Sequence, residues 1–433
     1  MKQDVKKDHA LQIFRAAVDA VHPSNIIPDV LQLHDERLLV GEEVFQLKQF
    51  ENIYVAGAGK AAAAMAFEVE KILAHLLKEG VIAVRDLFDF TLKYVRPIYA
   101  GHPLPDTNSV IAAEEITKLL KKLKKDDLLI FLLSGGASSL MMDVPDECTL
   151  EEVNIILQQL LKSGANIHEL NTIRKHLSEL KGGQLVKKCS GATIISLIIS
   201  DVPGNDLQTI GSGPTFGDKS TYEDAMHVLE KYNLVKSAPY SIITHLKKGI
   251  EGNIKETPKP DEPVFGHTRN IIIADNNKAL NAAMNEAVEL GYESYILTDT
   301  LQGLAEESAK EWVKNVLTQK GKNVCLLAGG ETTVQVKGTG KGGRNQQFAL
   351  AAAIALKNSS EITLLAAGTD GSDGPTDAAG AIVDSSTYND EAEKYLNNND
   401  AYTFFDLYGG LIKTGPTHTN VMDLVVTLIR GND

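Results

Sequence analysis

The chain has 433 residues, 43% of them hydrophobic and 23% charged, and a formal net charge of −14. That length exceeds what one hydrophobic core serves and predicts two or three domains. The acidic balance argues against a general nucleic-acid surface or a charge-driven membrane surface, so an anionic ligand must be met by local basic groups.

The first helical signal is Leu11, Phe14, Ala17, Val18 and Val21, one apolar face of an amphipathic helix. No signal-like apolar block precedes it, and the longest apolar runs, such as Leu128 to Leu133, are far below membrane-spanning length. Cys148, Cys189 and Cys325 form no CxxC pair and read as buried free thiols in a reducing compartment, which gives a cytoplasmic expectation. Next come a strand over Asn52 to Ala56, a helix over Lys60 to Leu77, and strands over Gly80 to Arg85, Asp127 to Leu133 and Thr193 to Ile199. This βαβ rhythm predicts parallel sheets with helices on both faces, binding ligands at the carboxyl ends of the strands. The stretch Glu251 to His267 contains Gly252, Pro258, Pro260, Pro263 and Gly266, and reads as a linker or surface loop. It separates a domain over 1–250 from a second α/β core over 268–433. Strands are expected there at Asn270 to Ala274, Glu293 to Thr298, Asn323 to Ala328, Thr333 to Lys337 and Ile362 to Ala367.

Four loops have the composition of ligand sites. Gly57-Ala58-Gly59-Lys60-Ala61-Ala62 fits GxGxxA, a loose dinucleotide fingerprint, with Asp86 near the place of a ribose-binding acid. Lys60, just inside the helix start, is better placed to meet a more highly charged anion. Ser134-Gly135-Gly136-Ala137-Ser138-Ser139 follows a fully apolar strand and reads as a neutral anion nest. The GxSxG arrangement of a nucleophilic serine is missing. Asp201 ends another apolar strand, a common position for a metal-binding or base carboxylate; a turn built from Asp, Pro and Gly is the plain alternative. The fourth loop, Gly338 to Gln346, carries Gly340, Lys341, Gly342, Gly343 and Arg344 ahead of an alanine-rich helix over Phe348 to Leu356. Its glycines are expected to expose N–H groups to an anion beside two whole charges. Asp370, Asp373 and Asp377 follow in a further glycine-rich loop and have the chemistry of Mg²⁺ ligands. His102 and His418 also lie in loops. No Walker A, HExxH or Cys/His cluster is present.

As a set these loops resemble the glycerate 2-kinase family, the type II glycerate kinases with a C-terminal MOFRL domain. The resemblance rests on AGAGKAA at 56–62, GHPLPD at 101–106, LLSGGASSL at 132–140 and NTIRKHLSELKGGQL at 171–185. It continues through ISDVPGNDLQTIGSGPT at 199–215, AGGETTVQVKGTGKGGRNQQFAL at 328–350, GTDGSDGPTDAAGAIVD at 368–384 and TGPTHTNVMDL at 414–424. It implies two α/β domains, the N-terminal one Rossmann-like with a mainly parallel sheet and the C-terminal one of MOFRL type, with the active site in the cleft between them. The implied reaction is ATP-dependent phosphorylation of D-glycerate at the 2-hydroxyl, with Mg²⁺; hydroxypyruvate reduction with NAD(P)H is the runner-up. Lys60 and Arg344 then look like the family's two catalytic cations, with Asp201 as metal ligand or base. Gly57, Gly59, Ser134, Gly135, Gly136, Ser138, Gly340, Lys341, Gly342 and Gly343 fall to nucleotide phosphates. Arg344, Asn345, Arg174 and Lys181 fall to the substrate, and Asp201, Asp370 and Asp373 to the metal. Lys60 and Arg344, as loop cations, are expected to matter for activity and little for stability. A small-molecule substrate with no nucleic-acid or membrane partner follows, and a homo-oligomer is left open.

Overall fold

The computed structural model describes residues 3–319, 323–359 and 361–429. It divides into two compact units, Ile26–Ile273 and a second made of the residues up to Asn25 together with those from Ala274 onward.

The first unit is built on six strands: β4 (Ile53–Ala58), β5 (Leu77–Val84), β6 (Val95–Tyr99), β7 (Leu128–Leu133), β8 (Thr193–Ile199) and β9 (Thr268–Ala274). Strands β4 and β7 are buried at every position, as expected where helices cover both faces of a parallel sheet. The order is β6-β5-β4-β7-β8-β9, and the pairings among the first five strands are all parallel. The chain runs from β4 outward to β5 and β6, then returns to lay β7 on the other side of β4. The order therefore reverses between β4 and β7, the switch point at which open α/β sheets leave a crevice. Ala58 is level with Leu133, and Leu133 with Ile198, so the loops after β4, β7 and β8 leave from one edge.

Three features of this unit differ from the sequence expectation. A small antiparallel sheet, β1 (Leu31–His34), β2 (Arg37–Val40) and β3 (Glu43–Gln46), precedes the large one. Its four-residue strands are too short for a period-2 pattern to stand out. Strand β9, assigned from sequence to the second domain, is the edge strand of this first sheet. Of the two alternatives for residues 251–267, the surface loop fits and the linker does not: Thr257 is buried, Asp218 N–H donates to Pro258 O at 2.9 Å, and Lys259 Nζ donates to Ser220 O at 2.6 Å. The chain passes between units at 273/274 instead.

The second unit has strands β10 (Glu293–Leu301), β11 (Val324–Gly330), β12 (Ile362–Gly368), β13 (Gly380–Asp384), β14 (Leu411–Ile412) and β15 (Asp423–Ile429), ordered β10-β11-β15-β12-β13-β14. Only β10 and β11 pair in parallel; β15 lies antiparallel between β11 and β12. Asp423, the first residue of β15, is thus level with Gly330 and Gly368, the last residues of its neighbours. The strand expected at Thr333 to Lys337 is irregular chain with a single bridge from Thr333 to Leu304.

The N-terminal helix, Gln3–Ala20, belongs to this second unit. Ile13, Phe14 and Ala17 are at most 1% exposed, Lys6 Nζ donates to Glu361 O at 2.8 Å, and His9 Nδ1 lies 3.0 Å from Tyr292 Oη. An amphipathic face announces that it needs a core, but not which core. Phe14→Ala should cost about 3–5 kcal/mol. Hydrogen exchange should quicken across β11, β12 and β15 and stay unchanged in β4 and β7; loosening of β4 and β7 instead would place the helix on the other unit.

Candidate active site

In the first unit the site grows from the β4–β7 switch point. Gly59 follows β4 with φ +138°, and a Cβ on it would lie 2.0 Å from Ser134 Oγ. Only glycine lets the two loops close on one another here. Once closed they are bonded: Lys60 N–H donates to Gly135 O at 2.9 Å and Ala61 N–H to Ser134 Oγ at 3.0 Å. The N–H of Gly59 goes to Ala83 O at 3.2 Å. The N–H groups that a dinucleotide pyrophosphate would need are therefore engaged inside the protein. Asp86, the candidate ribose acid, is bound by Arg85 at 2.7 Å. The Gly135 and Gly136 N–H groups donate to no other group among the described residues and remain available to an anion.

Gly136 has φ +88°, and a Cβ there would lie 3.0 Å from His102 Nε2 and 3.6 Å from Lys60 Cγ. The glycine makes room for an imidazole and a lysine stem side by side. The His102 loop is held from both ends. Ser139 Oγ donates to Pro103 O at 2.8 Å, and Asp106 accepts from Gly101 N–H at 3.0 Å while capping the Thr107–Leu120 helix. His102 was left without a role by sequence reasoning. Its signal was its place in GHPLPD straight after a strand, but that strand's neighbours were not known.

Ser138 Oγ lies 2.8 Å from Ser212 Oγ, which donates to Asn171 Oδ1 at 3.0 Å; Arg174 Nη1 donates to the same oxygen at 3.3 Å. Arg174 is thereby linked to the loop that follows β7. Lys181 is placed differently. It is fully buried, and its ammonium donates to Met141 O at 3.0 Å and Asp143 at 3.2 Å. Burial pulls its pKa down against the opposing pull of Asp143. In this arrangement Lys181 braces the fold rather than facing a ligand. Asp201 is half-buried two residues past the end of β8, on the same edge of the sheet.

In the second unit Arg344 opens the Arg344–Ala355 helix. Its Nε and Nη2 grip Asp423 at 2.5 and 2.9 Å, and Nη1 meets Glu331 at 2.9 Å. Burial works against the charged guanidinium, but Asp423 and Glu331 outweigh it and hold its pKa above the ordinary value. Asp373, 1% exposed, accepts from Asn345 N–H at 3.1 Å and Gln346 N–H at 2.8 Å, so it caps this helix from a distant loop. Burial, with the charge of Asp423 adding to it, pushes its pKa up to about 7. Asp370 accepts from Ser372 N–H at 2.9 Å and Oγ at 3.0 Å in a local turn.

In the glycine-rich loop before Arg344 the N–H groups up to Lys341 are engaged inside the protein, while those of Gly342 and Gly343 donate to no group among the described residues. Lys337 and Gly338 N–H donate to Asn399 Oδ1, Thr339 N–H to Asn398 Oδ1, Gly340 N–H to Asn398 O and Lys341 N–H to Asp400 Oδ1. None of Gly338, Gly340, Gly342 and Gly343 has positive φ. These glycines serve close approach: a Cβ on Gly340 would lie 2.3 Å from Asp400, and one on Gly343 2.3 Å from Asp373. Lys341 Nζ rests 4.1 Å above the Tyr402 ring.

The metal assignment meets a similar limit. Among the described residues no three His, Cys, Asp or Glu side chains gather as a metal-holding group. Both oxygens of Asp373 are engaged by the helix. A protein-only cage does not fit these residues, whereas an ion carried on phosphate oxygens needs only one or two carboxylates.

Arg344 is also more than a loop cation. Removing it leaves Asp423, 5% exposed, beside the buried Asp373. Arg344→Ala should therefore destabilise the protein by about 2 kcal/mol, the cost of breaking a buried pair discounted for the partial exposure of the arginine. Lys60→Ala should cost less. Equal melting temperatures for wild type and Arg344→Ala would return Arg344 to the role of a plain surface cation.

Two family models match the chain, Domain of unknown function (DUF4147) over residues 9–247 and the MOFRL family over 324–423. The glycerate 2-kinase of Pyrococcus horikoshii is 38% identical over 98% of this chain and 97% of its own. The D-glycerate 2-kinase of Thermotoga maritima is 36% identical over 98% of both. A protein of Agrobacterium vitis with the provisional name hydroxypyruvate reductase is 40% identical over 87% of this chain and 86% of its own. Among solved structures, a glycerate kinase from Thermotoga maritima matches with a TM-score of 0.83 at 35% identity, over 98% of this chain and 100% of that one. Sequence, domain order and fold agree across nearly the full length: the chain belongs to the glycerate 2-kinase family.

Proposed function

We propose that this protein transfers the γ-phosphoryl group of ATP to the 2-hydroxyl of D-glycerate, giving 2-phosphoglycerate and ADP. The observation that carries the reading is the near-complete alignment with two proteins named as glycerate 2-kinases. The geometry of the first unit supports it. Phosphoryl transfer asks for positioning and charge neutralisation more than covalent chemistry. Lys60 and the Gly135 and Gly136 N–H groups belong to the two loops at the switch point and suit phosphate oxygens. The glycerate hydroxyl oxygen attacks the γ-phosphorus, the bond to the ADP oxygen breaks, and the hydroxyl proton leaves to a carboxylate, for which Asp201 is the candidate. Magnesium, bound with the nucleotide phosphates, supplies further neutralisation of their charge. Asp201 suits it as a ligand better than Asp373, whose oxygens already hold the helix. Arg344 is the second proposed cation. Its fork on Asp423 fixes the guanidinium, and its bond to the more exposed Glu331 is the one a substrate anion would replace.

The reductase reading has one relative's provisional name behind it. Against it stand the engaged N–H groups of the GxGxxA loop and the Arg85–Asp86 pair. One experiment separates the two. Purified protein with ATP, Mg²⁺ and D-glycerate should yield a product that enolase consumes without a mutase. A product needing phosphoglycerate mutase would make the 3-hydroxyl the acceptor. Oxidation of NAD(P)H by hydroxypyruvate, with no ADP formed, would make the protein a reductase.

Asp201→Asn keeps the side chain's shape and removes its charge. Turnover should fall about a hundredfold or more. Recovery at raised Mg²⁺ would identify a metal ligand, and a loss indifferent to Mg²⁺ would identify the base. Wild-type turnover with unchanged Mg²⁺ dependence would confine Asp201 to its turn.

A further inference from the structure

A cavity of about 390 Å³ opens in the first unit between residues 145–147, the Tyr222–Lys231 and Tyr240–Ile250 helices and the chain at 254–255. None of its lining residues belongs to the loops that meet at the switch point. Tyr222 stands in its wall and is 4% exposed. The ring is fixed from three sides. A Cβ on Gly249 would lie 2.2 Å from Tyr222 Cγ, and His176 and His245 meet the ring edge-on with centroids 4.7 and 6.0 Å away. So held, the Tyr222 hydroxyl makes no hydrogen bond among the described residues. Burial, with Glu256, Glu147 and Glu179 adding to it, pushes the phenol up to about 12, so it stays an O–H donor. A buried donor without an acceptor is costly, and a ligand oxygen can supply the missing partner.

His245, 6% exposed, stands in the same wall with the opposite need. Its Nε2 donates to His176 O at 3.0 Å, which leaves Nδ1 as the acceptor of the neutral ring. That nitrogen takes no hydrogen bond and faces Glu147 Oε2 at 3.5 Å. Glu147 is held at about 2, chiefly by Lys248, and so carries its charge. This side of the cavity is electron-rich and suits a cation. The remaining charges divide in the same way. Asp146 and Lys255 both line the cavity, and neither has a hydrogen bond or ion pair among the described residues. A plain anion would suit Lys255 and Tyr222 but meet Asp146 and Glu147 uncompensated; a plain cation would meet Lys255. A ligand carrying one charge of each sign answers every group.

We infer that this cavity is a second small-molecule site and binds a zwitterion of the α-amino-acid class. The ligand carboxylate takes the Tyr222 hydroxyl and Lys255, and its ammonium group lies toward Asp146 and Glu147. The site reads the two groups that all α-amino acids share, so a small side chain is sufficient. It is independent of the kinase reading.

The test is calorimetric titration of the full-length protein with L-alanine and L-serine, and with acetate and ethylammonium as the two half-ligands. Both amino acids should bind, and each half-ligand should bind at least about tenfold more weakly. Tyr222→Phe and Asp146→Asn should each weaken amino-acid binding about tenfold, the loss of one charge-assisted hydrogen bond. The melting temperature of ligand-free Tyr222→Phe should equal or exceed that of wild type, because the hydroxyl has no internal partner to lose. Saturating ATP with D-glycerate should leave amino-acid binding unchanged. Four results would overturn the inference. One is no binding of either amino acid at millimolar concentration. A second is acetate binding as tightly as the amino acids, which makes the cavity a plain anion site. A third is wild-type affinity in both folded variants, and the fourth is competition by ATP or D-glycerate, which places the ligand at the switch point.

Discussion

The mutual closure of two loops at the β4–β7 switch point is the constraint on which the first unit's chemistry depends. A parallel sheet whose strand order reverses leaves a crevice, but it does not by itself decide what fills it. Here Gly59 brings its loop so near Ser134 that a side chain would overlap the hydroxyl, and two hydrogen bonds lock the contact. The lock consumes the donors of the first loop and leaves those of the second. Lys60 is fixed by its backbone while its side chain runs past Gly136 beside His102. A loop pattern that resembles a dinucleotide fingerprint therefore becomes a mount for a cation.

The cations of the two units show how the same charge takes different roles through its counter-charges. Arg344 is held by a fork on Asp423 and a further bond to Glu331, so its charge is balanced before any ligand arrives. Lys181 has its partner in Asp143 and is out of contact with water. Arg174 has an amide where the others have carboxylates. A buried cation that keeps its counter-charge contributes to the fold, and one that loses it is costly. The positions of the cations alone do not reveal this, because Arg174, Lys175 and Lys181 lie within eight residues of one another in sequence.

Much of the fold was legible. Strands β4, β5, β7, β8, β10, β11 and β12 follow from short apolar runs bounded by turn residues, and the N-terminal helix from its periodic face. What escaped were properties that local pattern does not carry. Strand β9 and the N-terminal helix lie in the units opposite to those their sequence neighbours suggest, because a strand or an apolar face encodes the need for a partner and not its identity. The antiparallel direction of β15 escaped for the same reason. Asp423 stood in plain view in TGPTHTNVMDL, yet acids were sought at strand ends, where a parallel sheet presents them. Inserting β15 in reverse brings a strand beginning to that edge, and with it the carboxylate that holds Arg344.

Glycine is the residue on which the site reading most depends and the one whose purpose sequence least reveals. It permits positive φ, and it permits close approach of backbone to backbone. At Gly136 the first property shapes the crevice. At Gly340 and Gly343 the second operates: the chain is pressed against Asp400 and Asp373, and the N–H groups from Lys337 to Lys341 are taken up by Asn398, Asn399 and Asp400. Asp373 in turn occupies the N-terminus of the Arg344 helix, where an anion would otherwise sit. The first half of the loop before Arg344 is thus occupied by internal groups. The N–H groups of Gly342 and Gly343 in the second unit, and of Gly135 and Gly136 in the first, donate to no group among the described residues.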